Sequence, residues 1–242
     1  MCDSIFQKKM NYFLITGASR GFGNAVARLL IENKKNKIIG ICRNEPEIDP
    51  GQADRLLFFK YNLNEVKGIP EMVSTIMNQI DYDSINSIHL INNAATITPV
   101  GPLATCDPDL IIRHYHLNIL APVLITSSFM HSTRDLNCEK KILNITSGAA
   151  FKPYFGWSSY CSSKAALEMF TRCLALESGN SYTIQTYDPG MMDTAMQDEI
   201  RSKSPTEFIH VDKFISFKEE GKLSQPEFNA GQFVKIHFNK YT

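Results

Sequence analysis

Along this chain, short runs of β-branched and aliphatic residues alternate with longer segments of helical period, and that rhythm is the tightest constraint on its fold. Strands joined by crossover helices run parallel, and a parallel sheet needs helices over both of its faces. Strands are predicted at residues 12–16, 37–42, 56–61, 87–92, 141–146 and 183–187, several of them apolar on both faces. Helices are predicted at about 23–33, 69–80, 109–130 and 157–178. The fold class is therefore α/β, a doubly wound parallel sheet of Rossmann type. No internal repeat or low-complexity linker divides it, so residues 1–242 are expected to form a single domain. Past Pro189 the pattern weakens, and residues 198–222, polar with a few apolar anchors, are expected to form a lid or substrate loop. The last apolar stretch, residues 233–238, fits a short strand or the end of a helix. Pro226 at a first helical turn favours a helix over 227–238. A closing seventh strand is then missing, and strand 183–187 is left as an edge or covered by a partner subunit.

The chain carries 25 Lys+Arg against 25 Asp+Glu, a formal net charge of zero, which removes the electrostatic case for a nucleic-acid or acidic-membrane partner. Small-molecule chemistry is favoured instead. The six cysteines, at 2, 42, 106, 138, 161 and 173, include no Cys-x-x-Cys pair and read as thiols in a reducing cytoplasm. The start has no apolar signal core, and no stretch approaches the roughly 18 uncharged apolar residues of a membrane span. A cytoplasmic location follows as an expectation. The one close histidine pair, His114 and His116, falls on different faces of a helix, so no metal is expected.

Three motifs carry chemistry. Thr16-Gly17-Ala18-Ser19-Arg20-Gly21-Phe22-Gly23 follows the first strand and opens a helix. Glycines there let the backbone turn sharply and approach a pyrophosphate, while the helix N-terminus offers free N–H groups and a positive dipole end. The second strand ends in Arg43, with no acidic residue at its end to bind a ribose 2′-OH. Arg43 and Arg20 suit a 2′-phosphate instead, although Glu45 and Glu47 follow closely. Tyr160 and Lys164 stand at i and i+4, on one helix face, where the ammonium would draw the phenol pKa down from about 10. Ser147, just past the fifth strand, could hold a carbonyl oxygen. A Tyr-x-x-x-Lys spacing by itself is common on solvated helices.

Taken together, Gly17, Gly21 and Gly23, Asn92-Asn93-Ala94-Ala95, Asn118, Ser147, Tyr160 with Lys164, and Pro189-Gly190 followed by Thr194 resemble the short-chain dehydrogenase/reductase family over residues 11–200 or so. Within it the chain looks like the sepiapterin reductases at 16–23 and like the bacterial benzil reductases at 153–157, 193–197 and 217–222.

The resemblance implies an NADPH-dependent carbonyl reductase acting on a vicinal dicarbonyl or a pterin side-chain ketone. Another short-chain reductase, such as one for 3-oxoacyl thioesters, or an inactive NADPH-binding regulatory protein, is the alternative. Tyr160 would protonate the carbonyl oxygen, Ser147 would orient it, Lys164 would hold the nicotinamide ribose, and Asn118 would anchor a relay water. Cofactor contacts are implied for Gly17, Ser19, Arg20, Gly21, Phe22, Gly23, Arg43, Asn62, Leu63, Asn93, Ala94, Ala95, Tyr160, Lys164, Pro189, Gly190, Met192 and Thr194. Phe155, Trp157 and Met191, flanking the motifs, are read as substrate walls with Ser147 and Tyr160. A homodimer through helices 109–130 and 157–178 is the family expectation. Asn62 stands where the family usually has Asp, and Ala95 where it usually has Gly. The late acidic residue expected to anchor a pterin has no evident counterpart after Glu227.

Overall fold

In the computed structural model, which describes residues 9–44, 50–52 and 54–242, parallel strands form one sheet in the order β3-β2-β1-β4-β5-β6. They are β1 (Met10–Thr16), β2 (Asn36–Cys42), β3 (Leu56–Lys60), β4 (Ile85–Asn92), β5 (Glu139–Ile145) and β6 (Thr183–Tyr187). Cys2, Glu45 and Glu47 lie outside the described residues. All five pairings are parallel, with Ile15 opposite Ile91 and Thr16 opposite Ile41. The doubly wound Rossmann-type fold is thus observed.

Strand alternation sorts the core into two layers. Tyr12 and Leu14 face one side, where α2 (Ile69–Met77) and α4 (Ala121–Thr133) pack through Ile69, Val73, Ile76, Ile125 and Phe129. Phe13 and Ile15 face the other, where α1 (Gly21–Ile31) and α8 (Pro226–Phe238) pack through Val26, Leu30, Phe233 and Phe238. The remaining helices are α3 (Pro108–Tyr115), α5 (Ser158–Ser178), α6 (Ala195–Arg201) and α7 (Val211–Glu219). Among the described residues no helix is long and apolar enough to cross a membrane.

Two expectations need correction. The helix predicted over 109–130 is broken: α3 and α4 are joined by a π-helical turn, His116–Leu120, in which the Ala121 N–H reaches the His116 carbonyl. Pro122 explains the break. It has no N–H to give the carbonyl of residue 118, so the ladder widens at Asn118. The segment 198–222 is no open loop either. It belongs to a cap containing α6 and α7, whose Phe208, Val211 and Phe214 are buried with Trp157 and Tyr160.

The end of the chain is helical, as Pro226 suggests, and residues 233–238 lie within α8. Phe233 is fully buried and meets Phe22, Tyr187 and Phe238 edge-on, at ring separations of 5.4, 5.0 and 5.7 Å. β6 is the sheet's edge. Since α8 covers α1 and the end of β6 through this one ring, Phe233→Ala should destabilise the protein by about 3–5 kcal/mol. Denaturant unfolding checks this, and a loss under ~1 kcal/mol would show that the layer closes without Phe233.

Candidate active site

The strand order reverses between β1 and β4, and a cleft of about 810 Å³ opens at the carboxyl ends of the strands there. Such a switch point is where open α/β sheets bind ligands. Its floor is fixed by hydrogen bonds between the two strand ends. The Thr16 hydroxyl accepts from the N–H groups of Asn93 and Ala94 at 2.9 and 3.0 Å, and the Asn93 amide donates to the carbonyls of Thr16 and Gly17 at 2.9 and 3.2 Å. Gly17 takes a left-handed φ of 69°, and a methyl there would come within 2.9 Å of the Asn93 amide nitrogen. Gly23 does not line the cleft. A methyl on it would lie 2.5 Å from the Gly17 carbonyl oxygen, so its part is close helix–strand packing.

The residues fit a dinucleotide. Helix α1 begins with no side-chain cap and no acidic residue in its first turn, leaving its N–H groups and dipole to an anion. The Thr146 hydroxyl is buried beside the cleft and has no hydrogen-bond partner among the described residues. Gly17, Ser19, Arg20, Gly21 and Phe22 line one end with Arg43, Asn62 and Leu63. Asn93, Ala94, Ala95, Pro189, Gly190, Met192 and Thr194 line the cleft as well, with Thr194 beside Gly21. Among the described residues neither Arg20 nor Arg43 has a carboxylate partner.

Helix α5 carries Tyr160, Ser163, Lys164 and Leu167 on one buried face. Ser147, two residues past β5, lies within hydrogen-bonding reach of the Tyr160 hydroxyl and accepts from the Ala149 N–H at 3.2 Å. The Lys164 ammonium donates to the Ile145 carbonyl at 2.8 Å and stands 5.8 Å from the centre of the Tyr160 ring. The expected drop in the phenol pKa is not what this geometry gives. Burial pushes Tyr160 up to about 12, with Ser147 pulling the other way and the Asp188 charge adding to the rise. Burial likewise lowers Lys164 to about 8, opposed by Asp188.

Asn118 lies behind this wall, at the centre of the π turn. It borders a small void of about 10 Å³ shared with Lys164, Thr16 and Leu63. Phe155 does not line the cleft and is 44% exposed; its neighbour Tyr154 takes the place expected of it. Gly156, with a left-handed φ of 77°, turns the chain between Phe155 and Trp157. Trp157 and Met191 do line the cleft, and Trp157 stacks on Phe208 at 4.8 Å with the rings 2° from parallel. Sequence reasoning missed Asp188, which touches both reacting groups electrostatically. It also missed Tyr154, Ile97, Met196, Ile200 and Phe214, which add to the apolar wall. For Asp188 a signal was present in its place directly before Pro189-Gly190. The wall residues scatter over four segments and gave none.

A short chain dehydrogenase family model matches residues 11–205. The chain belongs to that family. As a short-chain dehydrogenase it is an oxidoreductase acting on carbonyl or hydroxyl groups, with a site of the kind that binds NAD(P)(H). It is 39% identical over 228 residues to a benzil reductase ((S)-benzoin forming) of Bacillus cereus, covering 91% of each chain. It is 28% identical to the sepiapterin reductase of Bos taurus, over 92% of this chain and 88% of that one. The crystal structure of the KRED1-Pglu enzyme superposes with a TM-score of 0.78 at 26% identity, covering 94% of both chains.

The two buried pKa values set a pH dependence for this short-chain dehydrogenase. Tyr160 keeps its proton throughout the neutral range, whereas Lys164 loses its charge as pH rises through about 8. The kcat/KM for the nicotinamide cofactor, which reports the cofactor-free enzyme, should be level below that point and fall about tenfold per unit above it if the charged Lys164 is required. A profile that stays level to pH 10 would remove Lys164 as the titrating group.

Proposed function

We propose that this chain is an NADPH-dependent reductase of vicinal dicarbonyl compounds bearing bulky apolar groups, with Tyr160 as general acid. The observation that carries this reading is the pairing of two unlike ends in one cleft. Arg20 and Arg43 line the cleft beside the uncapped start of α1, and an apolar wall of Trp157, Tyr154, Ile97, Met196 and Phe214 lines it near Tyr160. Guanidiniums pair with phosphate in a bidentate fork, and flat rings with adaptable thioethers suit an aromatic ketone. The similarity to benzil reductases supports the same substrate class.

The nicotinamide of a bound dinucleotide supplies the hydride. Tyr160 donates its proton to the carbonyl oxygen as negative charge builds there, and a phenol held near 12 is fully protonated for that task. Ser147 orients the oxygen with its hydroxyl. Lys164, charged below about pH 8, holds the ribose and steadies the phenolate left behind. The void beside Asn118 and Lys164 is about large enough for one water, which would meet Lys164 and not Tyr160 itself, so a proton returning to Tyr160 from it passes by way of Lys164. A pterin side-chain ketone is the second substrate reading, favoured by Glu227. This carboxylate in the first turn of α8 lines the cleft, where it could meet a pterin's amino groups.

One assay tests these points: NADPH and NADH oxidation with benzil, sepiapterin and an acetoacetyl thioester side by side. Benzil with NADPH should be fastest. Arg43→Ala should weaken NADPH, but not NADH, by about 1.5–3 kcal/mol. Equal loss for both cofactors refutes the phosphate assignment. Tyr160→Phe should bind NADPH normally and lower kcat by ~10²–10⁴. Near-normal turnover in that variant removes Tyr160 as the acid.

We also place the enzyme in the cytoplasm as a homodimer. Ile112, Leu120, Met169 and Leu176, on the two segments expected at the interface, are exposed apolar residues and support an isologous contact. Sedimentation at micromolar concentration should give twice the chain mass; a monomer there refutes the dimer, and fractionation of the source cells checks the location.

A further inference from the structure

Beside the cleft, three segments converge on a buried histidine. Asn118 is gripped on two sides by Thr96: its Oδ1 accepts from the Thr96 N–H at 2.9 Å, and its Nδ2 donates to the Thr96 carbonyl at 2.9 Å. An amide nitrogen has two hydrogens, and the second faces the Nε2 of His114 at 3.1 Å and the Ser163 hydroxyl at 3.3 Å. His114 sits one turn before Asn118 and is fully buried. Its Nδ1 lies 2.8 Å from the Thr98 carbonyl.

A carbonyl oxygen can only accept, so the proton of the imidazole is on Nδ1. Burial lowers His114 below its ordinary pKa, opposed by the backbone groups of Thr98 and Ser159 and aided by the Lys164 charge; with its proton held on Nδ1 by the Thr98 carbonyl, the neutral ring offers Nε2 as an acceptor. The Ser163 hydroxyl stands 3.0 Å from the same bare nitrogen, to which it can give its one hydrogen, and 2.9 Å from the Tyr160 carbonyl, which ties the cluster to α5. Thr98 is held from the other side. Its N–H donates to the Thr96 hydroxyl at 3.2 Å, and its own hydroxyl donates to Glu199 of the cap helix α6.

We propose that His114 is a positioning residue: it fixes the orientation of the Asn118 amide, within the π turn that Pro122 opens beside Lys164, by accepting its second N–H. The kinetic part of this inference rests on the reductase reading above. The structural part does not. The position carries a specific demand, one acceptor toward Asn118 and one donor toward Thr98, that an apolar side chain of like shape cannot meet and a glutamine amide can.

The test compares His114→Phe with His114→Gln. In the Phe variant the Thr96 amide, which is bonded to the Asn118 oxygen, should exchange its hydrogen about tenfold faster. Its kcat for benzil should fall about ten- to a hundredfold through misplacement of the relay, while the NADPH dissociation constant stays within about twofold. Glutamine should restore most of both. Unchanged Thr96 exchange in the Phe variant, or a Gln variant as impaired as Phe, overturns the proposal, as does a loss that falls equally on NADPH binding. If His114→Phe does not fold, ¹⁵N-histidine NMR of the unmodified protein decides: a neutral ring protonated at Nδ1 is required, and an Nε2–H tautomer or an imidazolium overturns it. A wild-type chain that reduces none of the three substrates would sink the reductase reading, while the exchange and NMR measurements still judge His114.

Discussion

The site depends first on how β1 and β4 are tied together at their carboxyl ends. Parallel neighbours diverge where the strand order reverses, and the backbone groups beyond the last ladder bond would face one another unpaired. Thr16 and Asn93 satisfy them, the hydroxyl taking two N–H groups and the amide giving to two carbonyls. This leaves no side-chain freedom at Gly17 and brings Gly23 against the same carbonyl. Helix α1 is thereby aimed into the cleft with its first N–H groups uncapped. A phosphate-binding end is a by-product of closing the sheet.

The reacting groups are tuned by burial more than by each other. A phenol and an ammonium four residues apart on a solvated helix would each favour the other's ionised form. Here both sit in the wall of the cleft, where losing water penalises charge, so the phenol rises and the ammonium falls. The result is an acid that holds its proton firmly and a cation near its titration point. The Asp188 charge adds to the rise of Tyr160 and opposes the fall of Lys164.

Much of this was legible from local pattern. Six strands, the α1 turn, the α5 pair and the terminal helix follow from periodicity, glycine spacing and Pro226, each a short-range signal. The break at Asn118 was also written locally, since Pro122 four residues on cannot donate to its carbonyl, but a long apolar-periodic segment masked it. Phe155 and Tyr154 differ by one position in a turn, and nothing local decides which of two adjacent rings points inward. His114 was set aside because its spacing from His116 is wrong for a metal. Its partners are Thr98 and Ser163, sixteen and forty-nine residues away, and only the folded chain brings them together.

The cap couples the two halves of the cleft. Its Phe208 and Phe214 pack on Trp157, which begins the helix carrying Tyr160, and its Glu199 meets Thr98, the residue that orients His114. Asp193, just before α6, pairs with Arg201 and Lys218 of the cap, holding its two helices over the apolar wall. These surface ion pairs contribute little stability individually. The buried aromatic contacts contribute more, and they are made to Trp157 at the start of α5, the helix that carries Tyr160. The apolar wall and the placement of Tyr160 therefore draw on one packed cluster, to which Arg20 and Arg43 do not belong. A change in the cap should for that reason alter substrate choice and turnover together and leave cofactor choice to Arg20 and Arg43.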